Sequence, residues 1–209
     1  RDLEGPESGE ALEGGITFHT LREYVRGDDL RLIHWRSSAR SGKMMVRHNI
    51  DTHQPRSLVV LDTRATSHTA ASFEDAVRAA ASIAVASMSR GFEFRLLTTD
   101  GLELSHMMPA STIMDRLAEV GLSFRGSFEN IFNELRADLG GVSLTLLSGA
   151  VTQEELAALN RFKGRFETIT IAQFTESGAD WGSGIPDAIL MSVANSEEFA
   201  RAWNQASRR

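Results

Sequence analysis

The sequence contains no cysteine and no apolar run long enough to cross a membrane. Without cysteine, disulfide bonds, thiolate metal sites and cysteine nucleophiles are all excluded. The most apolar stretch, AVRAAASIAVASM, is short and is interrupted by Arg78, whereas a membrane-spanning helix needs about 20 apolar residues. Of the 209 residues, 42% are hydrophobic and 24% are charged, which is enough to form a core in one domain with an appendage or in two small domains.

Several motifs of catalysis and nucleotide binding are also missing. The histidines show no HExxH or helical HxxxH spacing, and no GxSxG sequence marks a nucleophile elbow. The segment SARSGK resembles a phosphate-binding loop, but Ser37 and Met44 stand where that loop requires glycine and Ser or Thr. His48, Asp51 and His53 could in principle bind Zn²⁺, although histidines beside an aspartate are common on protein surfaces. A hydrolase with an unrecognised site remains an alternative.

Charge is distributed unevenly along the chain. The net charge of −6 argues against generic nucleic-acid binding, yet residues 21–47 set seven Arg or Lys against three acids. The first 15 residues are acidic and glycine-rich, and we predict that they are mobile. Because the sequence opens on Arg1 rather than methionine, we expect an excised fragment whose signal or membrane anchor would lie upstream.

Residues 16–56 are predicted to form a basic strand–helix–strand extension. The segment ITFHTLREYV alternates as a strand does, and KMMVRHNI is typical of a second strand. Between them, Asp28 or Asp29 is expected to cap a helix from about Leu30 to Ala39, which the sequence RSG then ends.

From Ser57 onward, strands and helices alternate, which predicts a doubly wound α/β domain over residues 57–209 with a mostly parallel sheet. SLVVLDT has the continuous apolar character of a central parallel strand. The Ala-rich helix after it is expected to begin on Ser72, with Asp75 completing an imperfect capping box. A later helix is expected to begin at Thr152, with Glu155 in a regular capping box.

The pattern REYxxGDDLRxIHWxxSARxGK, from Arg22 to Lys43, resembles the signature of the bacterial domain-of-unknown-function family 58. The resemblance continues through VVLDTR and LTTDG to the FARAW ending. It implies a membrane-anchored protein whose soluble, cytoplasmic-side part contains a von Willebrand factor A-like domain. It also implies genes beside those of MoxR-type AAA+ ATPases and transglutaminase-like proteins, and therefore an adaptor or scaffold that binds such an ATPase and is not an enzyme.

Domains of the von Willebrand A type bind Mg²⁺ through a DxSxS motif, a threonine from a second loop and an aspartate from a third. Here the first loop keeps Asp62 and Thr66 but has Arg64 at the middle position, and the second loop offers Ser127. The third loop has Ser148 followed by glycine where the acid is expected. We therefore predict no metal or other cofactor, with Asp62, Thr66 and Ser127 as weak candidates for Mg²⁺. An Asp62–Arg64 ion pair would close the top of the sheet instead.

These considerations predict a non-catalytic protein-interaction domain. Its predicted loop surface consists of Asp62, Arg64, Thr66, Ser127 and Ser148 at the carboxyl ends of the strands, where open α/β sheets bind their ligands. A divalent-cation-dependent adhesion module with a modified metal site is an alternative. We expect no contact with membrane or nucleic acid by this fragment.

The basic signature segment has two interpretations. Its candidate residues are Arg22, Asp28, Asp29, Arg31, His34, Trp35, Arg36, Arg40 and Lys43. In the preferred one, its arginines form ion pairs that pin the segment onto the domain, and Trp35 could stack on a guanidinium. In the other, the surplus positive charge of this segment faces an external partner. Binding of nucleic acid or phosphate is a third possibility.

Overall fold

The computed structural model describes residues 18–24, 33–50, 56–137 and 141–206. The chain divides into two compact units, Arg1–His53 and Gln54–Arg209, each described by itself. Asp28, Asp29 and Arg31 lie outside the described residues, as do Asp51 and His53 of the possible Zn²⁺ cluster and the N-terminal segment that we predict to be mobile.

Within residues 18–24 and 33–50, the first unit contains a two-stranded antiparallel sheet and one short helix. Strand β1 (Phe18–Glu23) pairs with β2 (Met45–Ile50), so that Phe18 lies opposite Ile50 and Glu23 opposite Met45. Helix α1 (Trp35–Ser41) lies between the two strands in the chain. The strand–helix–strand order agrees with the sequence-based expectation.

The start of α1 differs from the prediction. The helix begins at Trp35, and its N-cap is His34, whose side chain accepts a hydrogen bond from the Ser37 N–H. The predicted start near Leu30 was wrong because an imidazole nitrogen takes the capping role that we assigned to a carboxylate. The helix ends at Ser41, two residues after the predicted Ala39, and the glycine of RSG ends it as expected: Gly42 adopts φ 69° and donates its N–H to the Ser38 carbonyl.

The second unit is built on a six-stranded sheet. Its strands are β3 (Arg56–Leu61), β4 (Glu93–Thr98), β5 (Glu103–Ser105), β6 (Gly141–Ser148), β7 (Phe166–Phe174) and β8 (Ile189–Val193). They lie in the order β5-β4-β3-β6-β7-β8, and every neighbouring pair is parallel except β4 with β5. The predicted α/β class is confirmed. The three-residue edge strand β5 was missed because it is too short to show alternation.

Five helices flank this sheet: α2 (Ala70–Ser89), α3 (Ala110–Glu119), α4 (Phe128–Ala137), α5 (Gln153–Asn160) and α6 (Ser196–Ala206). A short 3₁₀ turn, Lys163–Arg165, precedes β7. The capping box of α5, Thr152 with Glu155, is as predicted. The capping box of α2 is formed by Thr69 and Ser72, so this helix begins before the expected Ser72.

The core lies on both faces of the sheet, as the period of two in a strand requires. From β3, Val59 and Leu61 face the helices α2, α3 and α6, whereas Leu58 and Val60 face α4 and α5. All four side chains are at most 1% exposed. Helix α2 approaches closely because alanines, including Ala76, line its inner face.

The strand order places a reversal between β3 and β6. Counted within this unit, the order is 3-2-1-4-5-6, that of doubly wound sheets in which ligands bind outside the carboxyl ends of the strands at the reversal point. Across the four described ranges, no helix combines the length and apolar character that a membrane crossing needs.

Candidate functional site

Polar side chains meet where β3, β4 and β6 end. Asp62 follows β3, Thr99 follows β4 and Ser148 ends β6, and all three are fully or almost fully buried. The Asp62 N–H donates to the Leu147 carbonyl at 2.9 Å, which extends the pairing of β3 and β6 up to this point. The parallel sheet thus brings residues far apart in sequence to its reversal point, which we call the sheet top.

Arg64 occupies the centre of the sheet top. Its Nε donates to Asp62 Oδ1 and its Nη2 to Asp62 Oδ2, both at 2.9 Å, so the predicted Asp62–Arg64 ion pair is present and bidentate. Its Nη1 donates to Glu155 Oε1 at 2.6 Å. The guanidinium also lies 4.4 Å from the centre of the Phe128 ring. One cation therefore joins two carboxylates and an aromatic face.

The Asp62 carboxylate accepts three further hydrogen bonds. The donors are the Arg64 N–H at 3.0 Å, the Thr99 hydroxyl at 3.2 Å and the Ser148 hydroxyl at 2.7 Å. Burial disfavours the ionised form, but the hydrogen bonds from Arg64 and Ser148 outweigh it and lower the pKa of Asp62. Burial likewise opposes the charge on Arg64, yet Asp62 and Glu155 raise its pKa. Both groups are ionised at neutral pH.

Glu155 has a second function that the sequence alone did not reveal. The capping box accounts for its Oε2, which accepts the Thr152 N–H at 2.9 Å. The other oxygen, Oε1, receives the Arg64 guanidinium. No local signal links positions 64 and 155, because their proximity follows from the pairing of β3 with β6.

The loop of residues 120–127, between α3 and α4, is held to the sheet top through its backbone. Ser123 donates its N–H to the Thr63 carbonyl at 2.7 Å and accepts the Ala65 N–H at 2.9 Å. Farther along, the Ser127 N–H donates to the Thr99 carbonyl at 2.9 Å. Gly126 packs so closely on Thr99 that an added Cβ would lie 2.8 Å from its hydroxyl oxygen. This α3–α4 loop is therefore fixed on both sides of residues 124 and 125.

The fixed α3–α4 loop exposes an aromatic side chain. Phe124 is 91% exposed and Leu122 is 39% exposed, although the remainder of the sheet top is polar and largely buried. Sequence patterns did not mark Phe124, because an isolated aromatic residue in a loop gives no periodic signal. Its exposure follows from the two anchors, which direct the intervening residues outward.

The predicted metal ligands do not fit Mg²⁺. Both Asp62 oxygens are occupied by the Arg64 guanidinium, and the Ser127 hydroxyl accepts the Glu129 N–H at 3.1 Å. Thr66 is exposed in the adjacent turn, where the described residues include no hydrogen-bond partner for its hydroxyl. Within the described ranges, no three His, Asp or Glu side chains converge to hold a cation.

Gly149 stands where the third metal-binding loop would supply an acid. A Cβ at this position would lie 2.1 Å from the Ser67 carbonyl oxygen, so the backbone leaves no room for an aspartate. The Gly149 N–H donates to His68 Nε2 at 3.1 Å, which places the proton of neutral His68 on Nδ1, facing the Ser72 hydroxyl at 3.3 Å. Burial lowers the pKa of His68.

Ser148, His68 and Asp62 lie close together but are not arranged as a catalytic triad. The Ser148 hydroxyl donates directly to the Asp62 carboxylate, and the imidazole nitrogen that could act as a base is occupied by Gly149. Ser148 is also 0% exposed. A nucleophile needs a base within hydrogen-bond reach and access to substrate, and Ser148 has neither.

The residues of the basic signature lie in the first unit. His34, Trp35, Arg36, Arg40 and Lys43 are brought together by α1 and the turn after it. Trp35 is 69% exposed, and no guanidinium stacks on it among the described residues. For Arg22 the structure describes only the backbone, in β1 opposite Val46.

A separate surface cavity of about 320 Å³ lies between the β4–β5 hairpin and α4. Glu103 and Glu134 are among its lining residues, and both are paired with Arg95, at 2.7 Å and 2.9 Å. Since both acids are already ion-paired with Arg95, they are not free to bind a ligand.

Comparison with known families agrees with the signature. A family model described as "Protein of unknown function DUF58" matches residues 20–119. Residues 20–119 of the chain therefore resemble the DUF58 family. The matched segment includes both the basic signature and the Asp62–Arg64 pair, and it ends with α3. No curated protein matches the sequence.

Proposed function

We propose that this protein is a non-catalytic protein-interaction domain that binds its partner through the sheet top. The observation that carries this proposal is Phe124, an aromatic side chain 91% exposed on a loop anchored at both ends. Aromatic residues dominate the energetics of protein interfaces, and an anchored side chain loses little conformational freedom on binding.

The fold and the ion pair support this proposal. The strand order and the position of Asp62 after the first strand of the sheet agree with a von Willebrand A-type domain. In such a domain the cation would lie where Arg64 supplies a permanent positive charge. The sheet top would then present the same surface whether or not divalent cations are present.

The partner that we propose is a MoxR-type AAA+ ATPase in a membrane-associated assembly or maturation system. This proposal rests on the resemblance to the family and on the exposed aromatic surface. In it, the fragment is the cytoplasmic-side part of a membrane-anchored adaptor. The ATPase would bind Phe124 in an apolar pocket, with Leu122 and Arg125 at the edge of the contact.

Quantitative binding of this chain to a MoxR-type ATPase, measured with and without ATP, tests the proposal. Phe124→Ala should weaken binding by about tenfold or more, as expected for an interface hot spot. The matched control is Met107→Ala, since Met107 is 81% exposed but follows the antiparallel strand β5, near the amino end of β4 and away from the sheet top. Absence of binding with and without ATP would refute the proposed partner assignment. If Phe124→Ala and Met107→Ala weaken binding equally, the proposal that the partner binds the sheet top is refuted.

A further inference from the structure

Helix α1 exposes its one large apolar side chain, Trp35, on the same side as its two arginines. None of its residues is buried. With about 100° of rotation per residue, four of its side chains share an arc of about 140°. We call this the outer face of α1, and it consists of Trp35, Arg36, Ala39 and Arg40, all of them exposed. The largest apolar side chain of the helix therefore points away from the part of the first unit that anchors it.

Serines attach the opposite side of α1 to the backbone. The Ser38 hydroxyl donates to the His34 carbonyl at 3.0 Å and accepts the Met45 N–H at 2.8 Å. Ser37 is 2.8 Å from the capping nitrogen of His34. Polar contacts with the start of β2 and with the helix cap thus hold α1 in place. Packing of Trp35 is not needed to position this helix, so its exposure serves no local structural purpose that the described contacts reveal.

The outer face of α1 is strongly basic. Residues 35–44 contain three Arg or Lys and no acid. Arg36 and Arg40 form no ion pair with any described residue, in contrast to Arg64, which is paired twice. The sequence-based interpretation in which the arginines of the signature form ion pairs within the protein stays a prediction, because Asp28 and Asp29 lie outside the described residues. Two guanidinium groups one helical turn apart, with no ion-pair partner among the described residues, lie beside an exposed indole.

We propose that the outer face of α1 is a docking surface for an acidic protein segment. Arg36 and Arg40, whose Cβ atoms are separated by about 6 Å as residues i and i+4, match two carboxylates at the same spacing. Trp35 requires an apolar side chain of the partner beside those carboxylates. Trp and Arg are the residues most enriched among interface hot spots, and here they share one helical face.

The charge of the chain favours protein over nucleic acid as the occupant. A protein with strongly salt-dependent nucleic-acid binding neutralises about six to ten phosphates, whereas this face offers two cations, Arg36 and Arg40. The chain as a whole is acidic, with a net charge of −6, and would repel a polyanion along most of its length. A compact acidic peptide segment fits a surface of this size and avoids that repulsion.

Fluorescence anisotropy with a designed probe tests this proposal. The probe is a short fluorescein-labelled helical peptide with glutamates four residues apart and leucines beside them. The 209-residue chain should bind this peptide and should bind its glutamine counterpart at least about tenfold more weakly. Binding should weaken by about tenfold or more in the charge-reversed variant Arg36→Glu/Arg40→Glu and in Trp35→Ala.

The matched control is Arg90→Glu/Arg161→Glu, which reverses two exposed arginines that directly follow α2 and α5. This control should change the affinity by less than about twofold, since net charge alone has a small effect at physiological salt. Failure to bind the glutamate peptide would overturn the proposal, as would an equal loss in the control. Tighter binding of a single-stranded oligonucleotide than of the glutamate peptide would assign the surface to nucleic acid instead.

This inference is independent of the proposed function at the sheet top. Phe124→Ala should leave binding of the glutamate peptide unchanged, and Arg36→Glu/Arg40→Glu should still expose Phe124. Circular dichroism of each variant should match the parent spectrum, because none of the substituted side chains is buried. A failure at one surface therefore leaves the test of the other intact.

Discussion

Replacing Arg64 with methionine removes the cation of the sheet top while keeping much of the side-chain volume. The Asp62 side chain is 0% exposed and that of Arg64 is 18% exposed, so solvent screens this pair little. Removing one partner of a buried ion pair costs about 3–5 kcal/mol. Asp62 would keep its hydrogen bonds from Thr99, Ser148 and the backbone of residue 64. We therefore expect a loss near the lower end, about 3 kcal/mol in the free energy of unfolding at neutral pH.

The loss should depend on pH in a defined direction. In the parent protein the folded-state pKa of Asp62 is lowered, so this group contributes stability above its unfolded pKa near 3.8, and the contribution disappears as the pH falls below that value. In Arg64→Met, burial should dominate and raise the folded-state pKa of Asp62. Acidification then relieves the uncompensated charge, so the difference between the two proteins should shrink below about pH 5.

Urea unfolding followed by circular dichroism measures this effect. With a denaturant slope of about 2 kcal/mol per M, a loss of 3 kcal/mol moves the midpoint by about 1.5 M. The control Arg116→Met breaks an exposed pair with Glu119 and should cost less than about 1 kcal/mol. Adding Asp62→Asn to Arg64→Met should restore part of the stability, since the fully buried charge of Asp62 is then removed. A loss below about 1 kcal/mol, or no gain from Asp62→Asn, would refute the reasoning.

Three further predictions concern buried positions. The Thr145 hydroxyl has no hydrogen-bond partner among the described residues, so Thr145→Val should raise the free energy of unfolding by about 1 kcal/mol; a loss in urea unfolding would contradict this. Gly149→Ala should lower the free energy of unfolding by about 2 kcal/mol, because the added Cβ would meet the Ser67 carbonyl. The control Gly121→Ala adds its Cβ in open space and should change the free energy of unfolding by less than about 0.5 kcal/mol. Because burial lowers the pKa of His68, the free energy of unfolding should fall as the pH drops below about 6.5 toward the folded-state pKa. Urea unfolding at a series of pH values should show a smaller dependence on pH for His68→Gln, and an unchanged dependence would contradict this prediction.

Much of the fold was predictable because its signals are local. The apolar run of β3, the capping box of α5 and the glycine at the end of α1 each depend on a few adjacent residues. Predictions failed where more than one nearby residue could cap the same helix. At the start of α1, His34 caps the helix, although Asp28 and Asp29 were the stronger candidates by residue type.

The candidate site was only partly predictable. The metal-binding motif has Arg64 in place of a serine and Gly149 in place of an acid. This difference indicated an Asp62–Arg64 ion pair, and that pair is present. Glu155, His68 and Phe124 were not predicted to belong to the site. Glu155 and His68 reach it through the parallel pairing of β3 with β6, and Phe124 through the backbone anchors of its loop. Such contacts between distant parts of the chain have no periodic or local signature.

The sequence by itself determined the α/β class and the resemblance of residues 20–119 to the DUF58 family, because strand and helix periods and the signature of residues 22–43 depend on neighbouring residues. Only the tertiary structure decided which charges are neutralised and which are available. Seven basic residues between positions 21 and 47 look alike in the sequence. Folding leaves Arg36 and Arg40 exposed and unpaired within the described residues, while Arg64, outside that cluster, lies between two carboxylates and is paired with both. The reason is that ion pairing depends on distance in space, which the sheet sets, and not on separation along the chain.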